Sequence, residues 1–196
     1  MPLESPPPDR NSRRALLITP IAFAGLAAFL YPRERTLPDA GLDGSGPEVQ
    51  LALFSNGGRC EAVVGIHKLI RSEVEWRRSL TSEQYAVTRG GGTEFAFANL
   101  YWNNHKAGLY RCVCCGSALF RSQDKFDSGT GWPSFSAPIA KENIETRADA
   151  SLSMSRIEVL CRKCDAHLGH VFDDGPPPSG SRFCLNSAAL RFIAYA

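Results

Sequence analysis

The chain has almost no net charge: 22 Lys and Arg stand against 20 Asp and Glu, leaving +2 over 196 residues. A general nucleic-acid binder shows a clear basic excess, so that partner class is excluded. No internal repeat is visible. The glycine-rich stretch Asp127-Ser128-Gly129-Thr130-Gly131 lacks the Gly-Lys-Ser/Thr of a phosphate-binding loop. Hydrophobic residues make up 43% and charged residues 21%, a balance that excludes a wholly disordered chain. The length suits one domain with some extra, enough to bury a core without a dense disulfide framework. Cysteine, by contrast, is plentiful: Cys60, Cys112, Cys114, Cys115, Cys161, Cys164 and Cys184. An odd number cannot all pair within the chain, so at least one thiol is free, metal-bound or shared with another molecule.

The N-terminus has the composition of an address. Residues 1–14 are polar and proline-rich and end in Arg13-Arg14; Ala15 to Tyr31 is uncharged and mostly apolar, and Arg33 closes it. That run is short against the about 20 residues of a membrane helix and long for a signal-peptide core. Ser12-Arg13-Arg14-Ala15-Leu16-Leu17 looks like a bacterial twin-arginine export signal. The expectation is an exported protein, periplasmic or membrane-anchored outside the cytoplasm, with 1–31 cleaved or retained as an anchor through residues 15–31. Residues 32–47, rich in Pro, Gly and Asp, are expected to form a linker.

Residues 48–70 are expected to form a β-hairpin extension: apolar runs at Val49–Phe54 and Cys60–Ile66 flank Ser55-Asn56-Gly57-Gly58. The main domain is then 71–196. It opens with tandem helix-start signatures, Ser72-x-x-Glu75 and Thr81-x-x-Gln84, and Gly90-Gly91-Gly92 ends the helical stretch. Beyond it, short apolar runs at Leu109–Val113, Ile157–Leu160, His170–Phe172 and Leu190–Ile193 alternate with turn-forming clusters. The fold class is mainly β, antiparallel, with short N-terminal helices.

Cys112-x-x-Cys115 and Cys161-x-x-Cys164 are matched pairs. Each such turn aims two sulfurs at one centre, and two turns complete a tetrahedral zinc–thiolate cage. Local disulfides or a redox pair are the competing readings, but a redox pair normally occurs once, at the start of a βαβ helix. One structural Zn2+ per chain is expected, with Cys114 outside the matched spacing.

Cys184 stands apart, with Arg182 and Asn186 at i−2 and i+2. A strand would put all three on one face, and a cation and an amide beside a thiol favour its nucleophilic form. A buried, inert cysteine is the plain alternative. His167 and His170 follow the second cysteine pair closely and could supply protons to a reaction at Cys184. Trp132, behind the glycine-rich turn, could wall an apolar group such as a methyl on sulfur.

Five ordered segments together resemble one family. They are Arg111-Cys112-x-x-Cys115; Lys125-Phe126-Asp127-Ser128-Gly129-x-Gly131-Trp132-Pro133-Ser134-Phe135; Cys161-x-x-Cys164-Asp165-x-His167-Leu168-Gly169-His170-Val171-Phe172; Asp174-Gly175-Pro176; and Arg182-Phe183-Cys184-x-Asn186-Ser187. They are similar to the peptide-methionine (R)-S-oxide reductases, the B-type methionine sulfoxide reductases, over about residues 76–194. The resemblance implies two antiparallel sheets and zinc held by Cys112, Cys115, Cys161 and Cys164. It implies that Cys184 attacks the sulfoxide sulfur of the R epimer in peptides or proteins and becomes a sulfenic acid. His170 and His167 would flank the sulfoxide oxygen, Asn186 would assist, Asp174 and Arg182 would hold the hydrogen-bond network, and Trp132 with Phe172 would pack on the methyl. A thioredoxin-like reductant would restore the thiol. Many relatives carry a resolving cysteine where this chain has Thr130. Cys60, Cys114, or direct reduction by the partner must take its place.

Overall fold

The computed structural model describes residues 44–150 and 156–195. The expected signal or anchor over 1–31, and the linker as far as residue 43, lie outside the described residues. Among the described residues no helix is long and apolar enough to cross a membrane.

Strands β1 (Glu48–Phe54) and β2 (Cys60–His67) pair antiparallel as a two-stranded sheet, with Gly58 at φ 80° in the connecting turn. Two seven-residue helices follow, α1 (Glu73–Ser79) and α2 (Ser82–Thr88). Both start at complete capping boxes. Ser72 and Thr81 accept the backbone N–H of Glu75 and Gln84, whose side chains accept the cap N–H in return. Helices this short owe their stability to such caps and to packing. The packing is supplied by Trp76, which is buried, and by α2 resting on the turn at Ser187–Ala189.

The remaining strands are β3 (Gly108–Cys112), β4 (Ala118–Arg121), β5 (Lys125–Phe126), β6 (Ser134–Phe135), β7 (Ile144–Asp149), β8 (Arg156–Cys161), β9 (His167–Phe172), β10 (Arg182–Leu185) and β11 (Leu190–Ala194). They form a six-stranded sheet in the order β5-β6-β10-β9-β8-β7 and a three-stranded sheet in the order β11-β3-β4. Among the described residues every strand pairing is antiparallel. The mainly β class is therefore observed, with the hairpin adding a small third sheet to the two of the body.

Aromatic side chains join those two sheets. Tyr110 and Phe120 of the small sheet meet Phe135 of the large one at ring-centroid distances of 5.0 and 4.7 Å, and Phe183 lies 5.6 Å from Phe120. Tyr110, Phe120 and Phe135 are fully buried, so this cluster is the centre of the core. The hairpin is fastened by one buried amide. Asn143 accepts the Ala52 N–H through Oδ1, and its Nδ2 donates to the carbonyls of Ala52 and Ala118.

Candidate active site

The four matched cysteines converge. Their sulfurs all lie within 4.8 Å of one another, with Cys112–Cys164 at 3.7 Å and Cys115–Cys161 at 3.5 Å, and all four residues are buried. Zinc–sulfur bonds of about 2.3 Å in a tetrahedron put sulfurs about 3.8 Å apart, so the spacing fits a Zn–S4 site. The two turns share one backbone design. In each, the first cysteine's N–H donates to the carbonyl five residues on (Ser117, Ala166), and its carbonyl accepts from the N–H four residues on (Gly116, Asp165). The fifth residue adopts positive φ in both, 76° at Gly116 and 53° at Asp165. Glycine takes that conformation freely, and aspartate tolerates it better than most residues.

Four buried thiolates this close would need a cation to offset their charge. Sulfur–sulfur hydrogen bonding pushes the Cys112 thiol up, from Cys114 first, and the Cys115 thiol down, from Cys112 first. A dication binds thiolates and releases such protons. Cys114 is buried beside the four but is not one of the converging set.

The second turn leads straight into the candidate catalytic strand. Cys161 ends β8, Cys164 closes the turn, and β9 begins at His167. Arg89 at the end of α2 donates to the Cys164 carbonyl at 2.7 Å, and the Leu69 N–H donates to that of Lys163 at 2.7 Å. A metal here would therefore hold the start of β9 and its histidines.

Across the large sheet one row of side chains runs through Cys184. On β10 it faces His170 of β9 on one side and Ser134 of β6 on the other; beyond them lie Glu158 opposite His170, Arg147 opposite Glu158, and Phe126 opposite Ser134. Directly opposed residues of antiparallel strands share a face. Arg182, two residues before Cys184, lies on that same face opposite Phe172. Its guanidinium stacks 4.4 Å from the Phe172 ring and grips Asp174 with two bonds of 2.8 Å. That grip holds the Asp174 carboxyl below its ordinary range.

Each histidine has a carboxylate. His167 Nδ1 lies 2.7 Å from Glu158 Oε1, and His170 Nε2 lies 2.8 Å from Asp149 Oδ2. A carboxylate only accepts, so both of these ring nitrogens carry hydrogen. The His167 Nε2 is buried without a partner among the described residues. Burial pushes the His167 pKa down, so the ring is neutral with an open lone pair there. The two rings sit edge to face, 5.4 Å apart.

Cys184 itself is half-buried, and burial pushes its thiol above the ordinary range. The Arg182 charge and contacts from Thr130, Ser134 and Arg182 pull the other way without prevailing. The flanking cation thus favours the thiolate, as expected, but by less than burial disfavours it. Thr130 belongs to a hydroxyl cluster, because Ser128 Oγ lies 2.8 Å from Thr130 Oγ1 and 2.7 Å from Ser134 Oγ.

Asn186 lies just past the end of β10, and its amide is fully engaged. Oδ1 accepts the Glu94 N–H at 3.0 Å and Nδ2 donates to the Leu168 carbonyl at 3.1 Å. Trp132 is half-buried and fixed by its indole N–H, which donates to the Glu94 carbonyl at 3.1 Å. Cys60 is exposed at the start of β2, opposite Phe54. Arg111 holds that end of the hairpin through the Phe54 carbonyl and Asn56.

Sequence reading missed Glu94. It is buried, and its carboxylate accepts the N–H groups of Ser187 and Ala188 at 2.7 and 2.8 Å. Burial pushes that carboxyl up against the pull of these bonds. Through its own N–H and C=O, Glu94 also ties Asn186 to Trp132. Glu158 and Asp149 were missed as well. Glu158 carried no local signal, because only the β8–β9 register sets it opposite His170.

Comparison with known proteins agrees with the geometry. Residues 80–194 match the SelR domain. The chain is 60% identical over 125 residues to the peptide methionine sulfoxide reductase MsrB of Hahella chejuensis, covering 64% of this chain and 90% of that protein. It is 45% identical over 175 residues to the human mitochondrial methionine-R-sulfoxide reductase B2, covering 86% of this chain and 92% of that one. To the chloroplastic peptide methionine sulfoxide reductase B1 of Arabidopsis thaliana it is 58% identical over 124 residues, 63% of this chain and 61% of that one. With its SelR domain spanning more than half its length, the chain belongs to the family of the B-type peptide-methionine (R)-S-oxide reductases.

Proposed function

We propose that the chain reduces the R epimer of methionine sulfoxide in peptides and proteins, with Cys184 as nucleophile. The observation that carries this reading is the row Ser134–Cys184–His170, which sets one thiol between a hydroxyl and a carboxylate-bound imidazole on a single sheet face. Trp132 gives the methyl an aromatic wall, with Phe172 beside it, and the Arg182–Asp174 pair orders the polar rim. The Cys184 thiol proton passes first to His170 or His167, and the imidazolium so formed protonates the sulfoxide oxygen, which is otherwise a poor leaving group, as Sγ bonds to the sulfoxide sulfur. The imidazole returns to its neutral form. The oxygen passes to Sγ, and the products are methionine and a Cys184 sulfenic acid. Atoms balance with no outside reagent in this half-reaction. A structural Zn2+ on Cys112, Cys115, Cys161 and Cys164 would add stability and take no part in the chemistry.

The second half-reaction needs a dithiol. It attacks the sulfenic sulfur, releases water and leaves as a disulfide. We assign this to a thioredoxin-like protein acting directly on Cys184. Thr130 stands where a resolving thiol would be, Cys114 is buried, and the contacts of Cys60 are with the hairpin and not with the Cys184 row. We also propose that residues 1–31 direct export, as a cleaved signal or a retained anchor, so that the reaction takes place outside the cytoplasm, on the strength of the paired arginines and apolar run.

The test is turnover of each sulfoxide epimer of a blocked methionine with dithiothreitol as reductant. Consumption of the R epimer alone, abolished by Cys184→Ser, is expected. Failure to consume it, or full turnover by that variant, would overturn the reading.

A further inference from the structure

Seven large hydrophobic residues are exposed among the described residues, and three of them fall within six positions: Phe95 (86% exposed), Phe97 (55%) and Leu100 (77%). Single exposed apolar side chains are ordinary, but a cluster is not. The segment is also not a loose loop. At one end Glu94 is buried and makes four hydrogen bonds, two of them reaching Asn186 and Trp132. At the other, Tyr101 is packed edge-on against Tyr110, its N–H donates to Ser187 Oγ, and its hydroxyl accepts the Phe192 N–H. Both ends being anchored, the residues between them are held outward.

The backbone works for that exposure. Phe97 has φ 60°, a conformation that costs a bulky residue energy and persists only where the surroundings impose it. What imposes it is the active-site loop: the Phe97 N–H donates to the Gly131 carbonyl at 2.8 Å. The Phe97 ring lies so close over Gly131 that a Cβ there would fall about 2.6 Å from it. The ring's other neighbour is Trp102, edge to face at 5.2 Å. The apolar cluster is thus continuous with the residue that precedes Trp132, and Phe95 follows the residue that holds the Trp132 indole.

We propose that Phe95, Phe97 and Leu100 form an apolar rim that binds hydrophobic residues flanking the oxidised methionine in an unfolded polypeptide. The proposal rests on the reading of the Cys184 site given above. Its occupant follows from position: the Phe97 ring packs on Gly131, next to Trp132, so a chain whose sulfoxide lies against Trp132 would leave the site beside the rim. Methionines are mostly buried in folded proteins, so apolar flanking residues become available when a damaged chain unfolds. The rim would then favour methionine sulfoxide with apolar flanks over the same residue with polar flanks.

The experiment uses the full chain and a Phe95→Ser/Leu100→Ser double variant, in which neither changed residue touches the catalytic row. Three substrates are compared: a blocked methionine-R-sulfoxide, an unstructured peptide with that residue between Leu and Phe, and the same peptide with Ser and Gly flanks. The wild type should show the lowest KM for the Leu/Phe peptide. The double variant should raise that KM by about five- to tenfold, with kcat and the blocked substrate unaffected. Equal KM for the two wild-type peptides, no effect of the variant, or an equal loss on all three substrates would overturn the proposal. So would a shift in oligomeric state or in binding to lipid vesicles that accounts for the effect, since the occupant would then be a second copy or a membrane. Anisotropy of the labelled Leu/Phe peptide carrying plain methionine separates the two readings. If turnover of every sulfoxide fails but this binding is rim-dependent, the chemistry is wrong and the rim stands.

Discussion

Two regions of this molecule hold cysteine, and they treat it in opposite ways. In the paired turns each sulfur sees other sulfurs, with one hydroxyl, that of Ser117, 3.2 Å from Cys115, on two backbones of the same design, and all four residues are buried. In the β10 row one half-buried sulfur sees an imidazole, hydroxyls and a guanidinium. In the proposed function the same side chain would be a structural ligand in the first setting and a reactive group in the second. Neighbours, more than the cysteine, decide which. The two regions are also wired together, because the turn that closes on Cys164 releases the chain into β9 and its histidines.

The comparison is tested most severely by exchanging thiol for hydroxyl in each region. Cys184→Ser should lower R-epimer turnover by at least about 10³-fold while leaving the thermal midpoint unchanged. Cys161→Ser should do the reverse in order: metal content falls, and stability drops by more than about 4 kcal/mol as the clamp is lost. Activity would follow only because β9 loosens. Metal analysis of the purified protein should give one zinc per chain. If Cys161→Ser keeps both its metal and its midpoint, the assignment of the two regions is wrong.

His170→Gln should reduce kcat by about 10²- to 10³-fold, with little effect on stability, by removing the proton carrier next to the thiol. Glu94→Ala should act on both properties. Leaving the Ser187 and Ala188 N–H groups buried and unpaired costs about 2–4 kcal/mol. Loosened Trp132 and Asn186 should lower kcat/KM by about tenfold; equilibrium denaturation and steady-state kinetics measure the two parts.

The smallest effect concerns protonation. Because burial raises the folded pKa of Cys184, its thiol form dominates at neutral pH. Alkylation of Cys184 without substrate should be slow at pH 7 and rise through a midpoint above the ordinary thiol range. Arg182→Ala should move that midpoint higher still, because the positive charge favours thiolate. A midpoint near neutrality would mean that the row activates the thiol before substrate arrives.

How much of this was written legibly in the chain depended on range. Capping boxes and the paired C-x-x-C turns are local signals, since every group that satisfies them lies within a few residues. The hairpin, β3, β8, β9 and β11 have apolar runs long enough to read. Strand β7 has none: Ile144–Asp149 is an edge strand with charged, exposed faces, and it forms because β8 pairs with it over six residues. Strands β5 and β6, two residues each, are too short for any pattern. Cys184, His167, His170 and Trp132 stood out by type and motif. Glu94, Asp149 and Glu158 did not, because their partners lie 92 to 94, 21 and 9 residues away and only the folded sheet brings them together. The hydroxyl cluster around Thr130 was likewise visible only as an absence of cysteine.

The central claim is that Cys184 takes the oxygen. The direct measurement is a single turnover without reductant: excess methionine-R-sulfoxide peptide, with methionine quantified and the protein trapped with dimedone and mapped by mass spectrometry. The account predicts one methionine per enzyme molecule and a dimedone adduct on Cys184 alone, with no Cys60–Cys184 disulfide in the untrapped sample. No methionine formed, or an adduct on another cysteine with Cys184 unmodified, would contradict it.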